Sequence, residues 1–278
     1  MSPELKIAVC QMTSVDDVRL CLEQMESLIA RVPEDSGVRL FLFPENCLYL
    51  RIREGESIPP FSLEDQVFRD LSVIAKKRKA FLHLGSVPLL IGDLLYNSSV
   101  IITDQGKIES NYQKVHLFDI QLSGQASIRE SDVFKHGMGP GIFSIDGWKI
   151  AQSICYDVRF AELYSQYARE PVDLILIPSA FLVKTGEAHW EILLRARAIE
   201  SQCYVAASAQ AGRHHSQRGE TVSRETYGNS MVVEPWGGVL ARLDGERPQT
   251  HFCTLSKVKI ETVRNQIPMA QHRRISLK

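Results

Sequence analysis

A chain of 278 residues, 44% of them hydrophobic and 23% charged, carries enough apolar surface for one large core or two small ones. Its formal net charge of −1 gives no electrostatic case for nucleic acid or for an anionic membrane surface. No apolar run approaches the ~18 residues of a membrane span, Met1-Ser2-Pro3-Glu4 does not read as a signal peptide, and the six cysteines show neither CxxC nor zinc-ligand spacing, so they read as reduced packing residues of a cytoplasmic protein.

Strands and helices alternate along the chain. A strand is predicted over 5–10. A helix follows over 15–29, with Val18, Cys21, Leu22, Met25, Leu28 and Ile29 at helical spacing. The strand 38–43 ends in Pro44-Glu45-Asn46, which sets Glu45 at a strand's C-terminal edge. A helix is predicted over 63–79 and strands over 81–87, 97–103 and 107–112. Asp104-Gln105-Gly106-Lys107 is a hairpin signal between the last two strands. Lys114 comes directly after them. Gly137-Met138-Gly139-Pro140-Gly141 reads as a turn cluster before a strand over 149–155. That strand runs into Cys155 and then a helix over 160–168. A strand over 173–177, a helix over 187–202 and strands over 204–209, 230–233 and 252–255 complete the pattern. The polar, glycine-flanked stretch 211–219 reads as an exposed, mobile loop. With no linker, repeat or low-complexity tract, 1–278 reads as a single α/β domain.

Cys155 is the strongest chemical candidate. A thiol at a strand-to-helix turn sits beside backbone N–H groups that the helix does not use. Such donors can lower a thiol pKa and can hold an oxyanion. A nucleophile also needs a base and a partner for developing charge. Glu45 and Lys114, each at a strand end, supply both if the ends converge. Taken alone, Cys155 would be a packing thiol, Glu45 a cap and Lys114 a solvated cation. His116, His189, His214 and His215 have no ligand spacing with carboxylates such as Glu220, so no metal is expected. Trp190, Ile192, Leu193, Leu194, Ala198 and Ile199 cover more than one face of the 187–202 helix, which therefore reads as buried on several sides.

The order and contexts of these residues resemble the nitrilase superfamily, the carbon–nitrogen hydrolases. The matching segments are Phe43-Pro44-Glu45, then Tyr112 to Asp119 around Lys114, then Cys155-Tyr156-Asp157-Val158-Arg159-Phe160-Ala161-Glu162-Leu163. The likeness extends from Lys6 to Arg274. Pro178 to Phe181, Thr185 to Glu191 and Arg195 to Glu200 resemble its Nit branch, which contains the deaminated-glutathione amidases and the omega-amidases. One departure is Ala161, where that branch usually has proline.

The resemblance implies an αββα sandwich and a homodimer, or a higher homo-oligomer, built through the 187–202 helix and the helix after Cys155. It implies Glu45 as general base, Lys114 as oxyanion partner, Cys155 as nucleophile and Glu130 in support, with the Tyr156 N–H as second oxyanion donor. Arg159 and Thr185 become the candidates for substrate contact, Arg159 because substrates of the amidase branches carry carboxylates. The implied reaction is hydrolysis of a small amide through a thioester, without a cofactor. Deaminated glutathione leads as substrate. 2-Oxoglutaramate, a nitrile or an N-carbamoyl compound are alternatives on the same site, and an inactive dimeric binding protein is the reading from another class.

Overall fold

A computed structural model describes residues 3–53, 55–121, 128–219 and 222–275. The strands in chain order are β1 (Glu4–Gln11), β2 (Leu40–Leu42), β3 (Phe81–Ile91), β4 (Leu94–Ile102), β5 (Ile108–Gln113), β6 (Asp119–Ile120), β7 (Ile128–Arg129) and β8 (Gly141–Ile145). They continue as β9 (Trp148–Gln152), β10 (Leu174–Leu176), β11 (Tyr204–Ala207), β12 (Ala211–His215), β13 (Ser223–Tyr227), β14 (Met231–Val233), β15 (Val239–Arg242) and β16 (Gln249–Ser256). The main helices are α1 (Val18–Ala30), α2 (Gln66–Arg78), α3 (Ala161–Arg169), α4 (Val183–Ser201) and α5 (Lys257–Gln266). One sheet has the order β16-β1-β2-β3-β4-β5 and a second has β15-β14-β11-β10-β9-β8. β1, β2 and β3 run parallel, as do β9, β10 and β11.

Period-two alternation assigns each strand residue to one of two cores. Ile7, Val9, Leu40 and Leu42 face Ile150, Leu174, Leu176 and Ala206 of the other sheet. Their neighbours Ala8, Cys10, Phe41 and Phe43 face the helix layer, against Met25 and Leu28 of α1 and Phe68 and Leu71 of α2. On the far side Ile175, Val205 and Ala207 pack beneath Leu163 and Tyr164 of α3 and Trp190 and Leu194 of α4. The result is a four-layer αββα sandwich, as the resemblance implies. Among the described residues no helix is long and apolar enough to cross a membrane.

The two sheets close tightly at one end. A Cβ on Gly85 would lie 2.2 Å from the Phe43 carbonyl oxygen and 2.3 Å from Pro178 Cβ, so only glycine admits that approach. Phe43 leads to Glu45, and the Pro178 carbonyl accepts from the Cys155 N–H at 2.8 Å. The close approach therefore joins the two strand ends that carry the chemistry.

Three expectations need correction. The stretch 211–219 begins as a strand, not a mobile loop: β12 pairs with β13, and His214 is fully buried. Its ring is sealed by the Ser14 carbonyl and Thr226 Oγ1, each at 2.7 Å, so a polar residue is carried inside fully bonded. Glu220 lies outside the described residues. The 149–155 strand stops at Gln152, because Cys155–Arg159 forms a 3₁₀ helix of its own. α4 starts four residues earlier than expected, with Gly186 packed on the Tyr227 side chain. It is buried at Trp190, Leu194 and Ala198, while Ile192 and Ile199 are exposed on the single chain.

A buried histidine between the sheets makes folding sensitive to acid. His83 Nε2 lies 3.1 Å from Gln152 Oε1, and burial pushes its pKa down from 6.5 to about 4. The folded pKa is the depressed one, so the neutral ring is stabilising above pH 6.5 and that stability is lost as pH falls toward 4. The full loss is roughly 3 kcal/mol. His83→Gln keeps a partner for Gln152 and cannot titrate. Thermal unfolding between pH 7 and 4.5 is expected to show a shallower decline for this variant than for the wild type; equal slopes would remove His83 as the cause.

Candidate active site

Glu45 hangs from the C-terminal end of β2 and Cys155 from that of β9, one on each sheet. Lys114 follows β5 directly, and its backbone N–H is held by the Asn97 carbonyl at 2.9 Å. All three line one cavity with Glu130, Tyr156, Arg159 and Thr185. Every site residue singled out from the sequence is thus in the same place.

Lys114 is 2% exposed and sits between two carboxylates. Its Nζ donates to Glu45 Oε1 at 2.8 Å and to Glu130 Oε2 at 2.8 Å. Glu130 is itself held by Asn97 Nδ2 at 2.8 Å and by the Phe118 N–H at 2.6 Å. Asn97 Nδ2 also reaches Glu45 Oε1 at 3.1 Å, and the Ala180 N–H donates to Glu45 Oε2 at 2.9 Å. Both oxygens of Glu45 are therefore fixed, in the cavity that Cys155 also lines.

Charge states follow from these contacts. Burial pushes the Glu45 carboxyl up, but the Lys114 charge and the hydrogen bonds from Lys114, Cys155 and Asn97 outweigh it, and its pKa lies below the usual value. Burial pulls Lys114 down, but Glu130 and Glu45 raise it well above an ordinary lysine. Burial pushes the Cys155 thiol well up, and the neighbouring Glu45 carboxylate adds to this against the pull of Lys114. The expected lowering of the thiol pKa is thus overturned. The resting site holds a neutral thiol beside a carboxylate ready to accept its proton.

The local backbone presents the thiol. Cys155 has φ +49°, a left-handed conformation that costs a side-chain-bearing residue about 1–2 kcal/mol. Buried Asp157 holds the turn. Its Oδ2 accepts from the Ile154 N–H at 2.9 Å and from Tyr112 Oη at 2.6 Å. Its Oδ1 accepts from the His116 N–H at 2.9 Å and lies 2.7 Å from His116 Nδ1. The His116 ring stacks on Phe160, with centroids 3.7 Å apart. One carboxylate thereby ties the cysteine turn to the segments just before and just after Lys114. Tyr156 is the second residue of the 3₁₀ helix, where helix geometry offers its N–H no acceptor.

A carbon–nitrogen hydrolase family model matches residues 6–265. The chain is 35% identical to a deaminated glutathione amidase of Dictyostelium discoideum, over 98% of this chain and 94% of that one. It is 37% identical to the nitrilase and fragile histidine triad fusion protein NitFhit of Caenorhabditis elegans, over 98% of this chain and 61% of that one. The chain thus spans less than two thirds of the fusion protein. The crystal structure of that fusion superposes with a TM-score of 0.84 at 33% identity, covering 98% of this chain and 66% of that one.

The chain belongs to the carbon–nitrogen hydrolase family. Its likeness to Nit-branch members agrees with the motifs around Thr185 and Arg195, and the protein is a hydrolase acting on carbon–nitrogen bonds. This carbon–nitrogen hydrolase surrounds its cavity with residues that sequence reasoning missed. Asn97 was only the start of a predicted strand, and a polar residue at a strand end carries no motif. Arg51 and Arg224 also line the cavity, the first in a segment without secondary structure and the second on β13. Arg159 donates from Nη1 to His189 Nδ1 at 3.1 Å rather than pairing with Asp157 or Glu162. Its guanidinium lies 5.2 Å from the Phe181 ring centroid and 5.8 Å from that of Tyr156, which holds it at the cavity. Thr185 Oγ1 donates to the Leu182 carbonyl at 3.2 Å.

Proposed function

We propose that Glu45, Lys114 and Cys155 are the catalytic residues of a thiol amidase, and that deaminated glutathione is its substrate. The observation that carries the reading is the convergence of Cys155, the doubly anchored Glu45 and the buried Lys114 on one cavity, with Lys114 Nζ and the Ala180 N–H fixing the two oxygens of Glu45. Glu45 takes the Cys155 proton as sulfur attacks the amide carbonyl carbon. The oxyanion is held by Lys114 Nζ and the Tyr156 N–H. Glu45 returns the proton to the departing amine, the C–N bond breaks and a thioester remains. Glu45 then takes a proton from water as the water oxygen adds to the thioester carbonyl, the C–S bond breaks, Glu45 returns that proton to the Cys155 sulfur, and the acid leaves. Glu130 keeps Lys114 charged and in place. From deaminated glutathione the products are 2-oxoglutarate and cysteinylglycine. Arg159 pairs with the 2-oxo-acid carboxylate, with Thr185 beside it.

Residues 1–278 act as one hydrolase domain in this reading, and two chains join through α4. Exposed Ile192 and Ile199, with Trp236 and Leu240 near β15, support that dimer. All six cysteines are free, which supports a reducing cytoplasm.

The test compares deaminated glutathione, 2-oxoglutaramate and a plain aliphatic amide on one preparation. Deaminated glutathione is expected to have the highest kcat/KM. Preference for the aliphatic amide would make the enzyme a general amidase and remove carboxylate recognition. Preference for 2-oxoglutaramate would keep the mechanism and make it an omega-amidase.

A further inference from the structure

A lysine ammonium has three N–H donors, and Lys114 makes three contacts with carboxylate oxygens. Its Nζ lies 2.8 Å from Glu45 Oε1, 2.8 Å from Glu130 Oε2 and 3.1 Å from Glu130 Oε1. An ammonium with every donor engaged has none left for an oxyanion. In the reaction proposed above, one of these contacts must therefore open. The oxygen it leaves would be a buried acceptor short of a partner, which is unfavourable.

Asn97 meets that need. Its Nδ2 donates to Glu130 Oε1 at 2.8 Å and to Glu45 Oε1 at 3.1 Å, two of the oxygens that Lys114 also reaches. The longest Lys114 contact, to Glu130 Oε1, is the one doubled by the shorter Asn97 bond. Opening it leaves Glu130 with Asn97 on Oε1 and with Lys114 and the Phe118 N–H on Oε2. The orientation of the carboxamide follows from chemistry: an ionised carboxylate only accepts, so the NH₂ group must face it. The Asn97 backbone serves the same cluster, its carbonyl accepting from the Lys114 N–H at 2.9 Å. Asn97 is 2% exposed, and its Oδ1 has no hydrogen-bond partner among the described residues. An unbonded buried acceptor lowers stability, so the carboxamide is not there for the sake of the fold.

We infer that Asn97 is a positioning residue whose carboxamide holds Glu45 and Glu130 in place while Lys114 turns one N–H to the oxyanion. This rests on the amidase reading above and adds to it the group that frees the lysine. A second effect falls on the base. Burial raises the Glu45 carboxyl, and the Lys114 charge together with hydrogen bonds, that of Asn97 among them, brings it below its usual value. Removing the carboxamide therefore raises the Glu45 pKa. The charged and titratable groups around Glu45 are Lys114, Glu130 and Cys155, with Arg51, Arg159 and Arg224 on the same cavity, and a substitution at Asn97 keeps them all.

The experiment measures kcat and KM as a function of pH for the fastest of the three amides compared above, with a thermal midpoint on each preparation. Asn97→Leu keeps the size of the side chain and removes its donors. It is expected to lower kcat by about ten- to a hundred-fold, to change KM little, and to move the acidic limb of kcat/KM to higher pH. Asn97→Ala gives the same readout should the leucine variant not fold. A variant with wild-type kcat, a loss that appears in KM instead, or a lower kcat with the acidic limb unmoved overturns the inference. A wild type that hydrolyses none of the amides and carries no acyl group on Cys155 overturns the amidase reading, and the inference with it.

Discussion

Cys155→Ala is expected to abolish hydrolysis while the protein stays folded. The substitution deletes the sulfur that the proposed mechanism uses to attack the carbonyl, with Glu45 as its base. Loss of such a nucleophile lowers turnover by on the order of 10⁴-fold or more. The fold should survive, because alanine keeps the Cβ. The turn is also fixed by the bond from its own N–H to the Pro178 carbonyl and by the Asp157 clamp on Ile154. kcat and a thermal midpoint on the same preparation check both halves. Mass spectrometry of the wild type during turnover should find the acyl group on the peptide containing Cys155. Appreciable activity in the alanine variant would remove the assignment.

Lys114→Met is expected to cost at least ~10²-fold in turnover and also to destabilise the fold. The apolar stem remains, but the oxyanion loses its charged donor. The stability effect follows from the ion cluster. Without the ammonium, Glu45 and Glu130 face each other in a buried place, and breaking a buried pair costs about 3–5 kcal/mol. One of the two carboxyls then takes up a proton, so its folded pKa is raised above its unfolded value. Stability from such a group is present below the unfolded pKa and is lost as pH rises through the folded one. The thermal midpoint of the variant should therefore approach that of the wild type as pH is lowered. Near wild-type turnover would make Lys114 a structural cation. A deficit that does not change with pH would show that the two acids do not interact as described.

The parts of the site legible in the sequence were those whose signal is local. Glu45, Lys114 and Cys155 each stand at or just past the end of a predicted strand, and strand ends can be read from neighbours. Their convergence could not be read that way. The Ala180 N–H that orients Glu45 is 135 residues away, and Asp157 reaches across 41 residues to His116. The thiol pKa was misjudged for the same reason: N–H donors at the turn are local, whereas burial and the Glu45 carboxylate come from the fold. His214 looked like loop because its partners, Ser14 and Thr226, are on other segments. Arg51 and Arg224 carried no periodicity at all, and only the shape of the cavity marks them.

Division of the proposed reacting groups between two sheets has a consequence for how the enzyme is made. Glu45 belongs to the first sheet and Cys155 to the second, and neither sheet can place both. The first sheet is itself completed late, because β16 pairs along the whole of β1, from Glu4 with Ser256 to Gln11 with Gln249. A chain still on the ribosome has its Glu45 and its Cys155 long before residues 249–256 exist to close that edge. Competence for the proposed hydrolysis is therefore expected to wait for residues 249–256 and for the docking of the two sheets, and a half-folded chain is expected to be inactive toward amides.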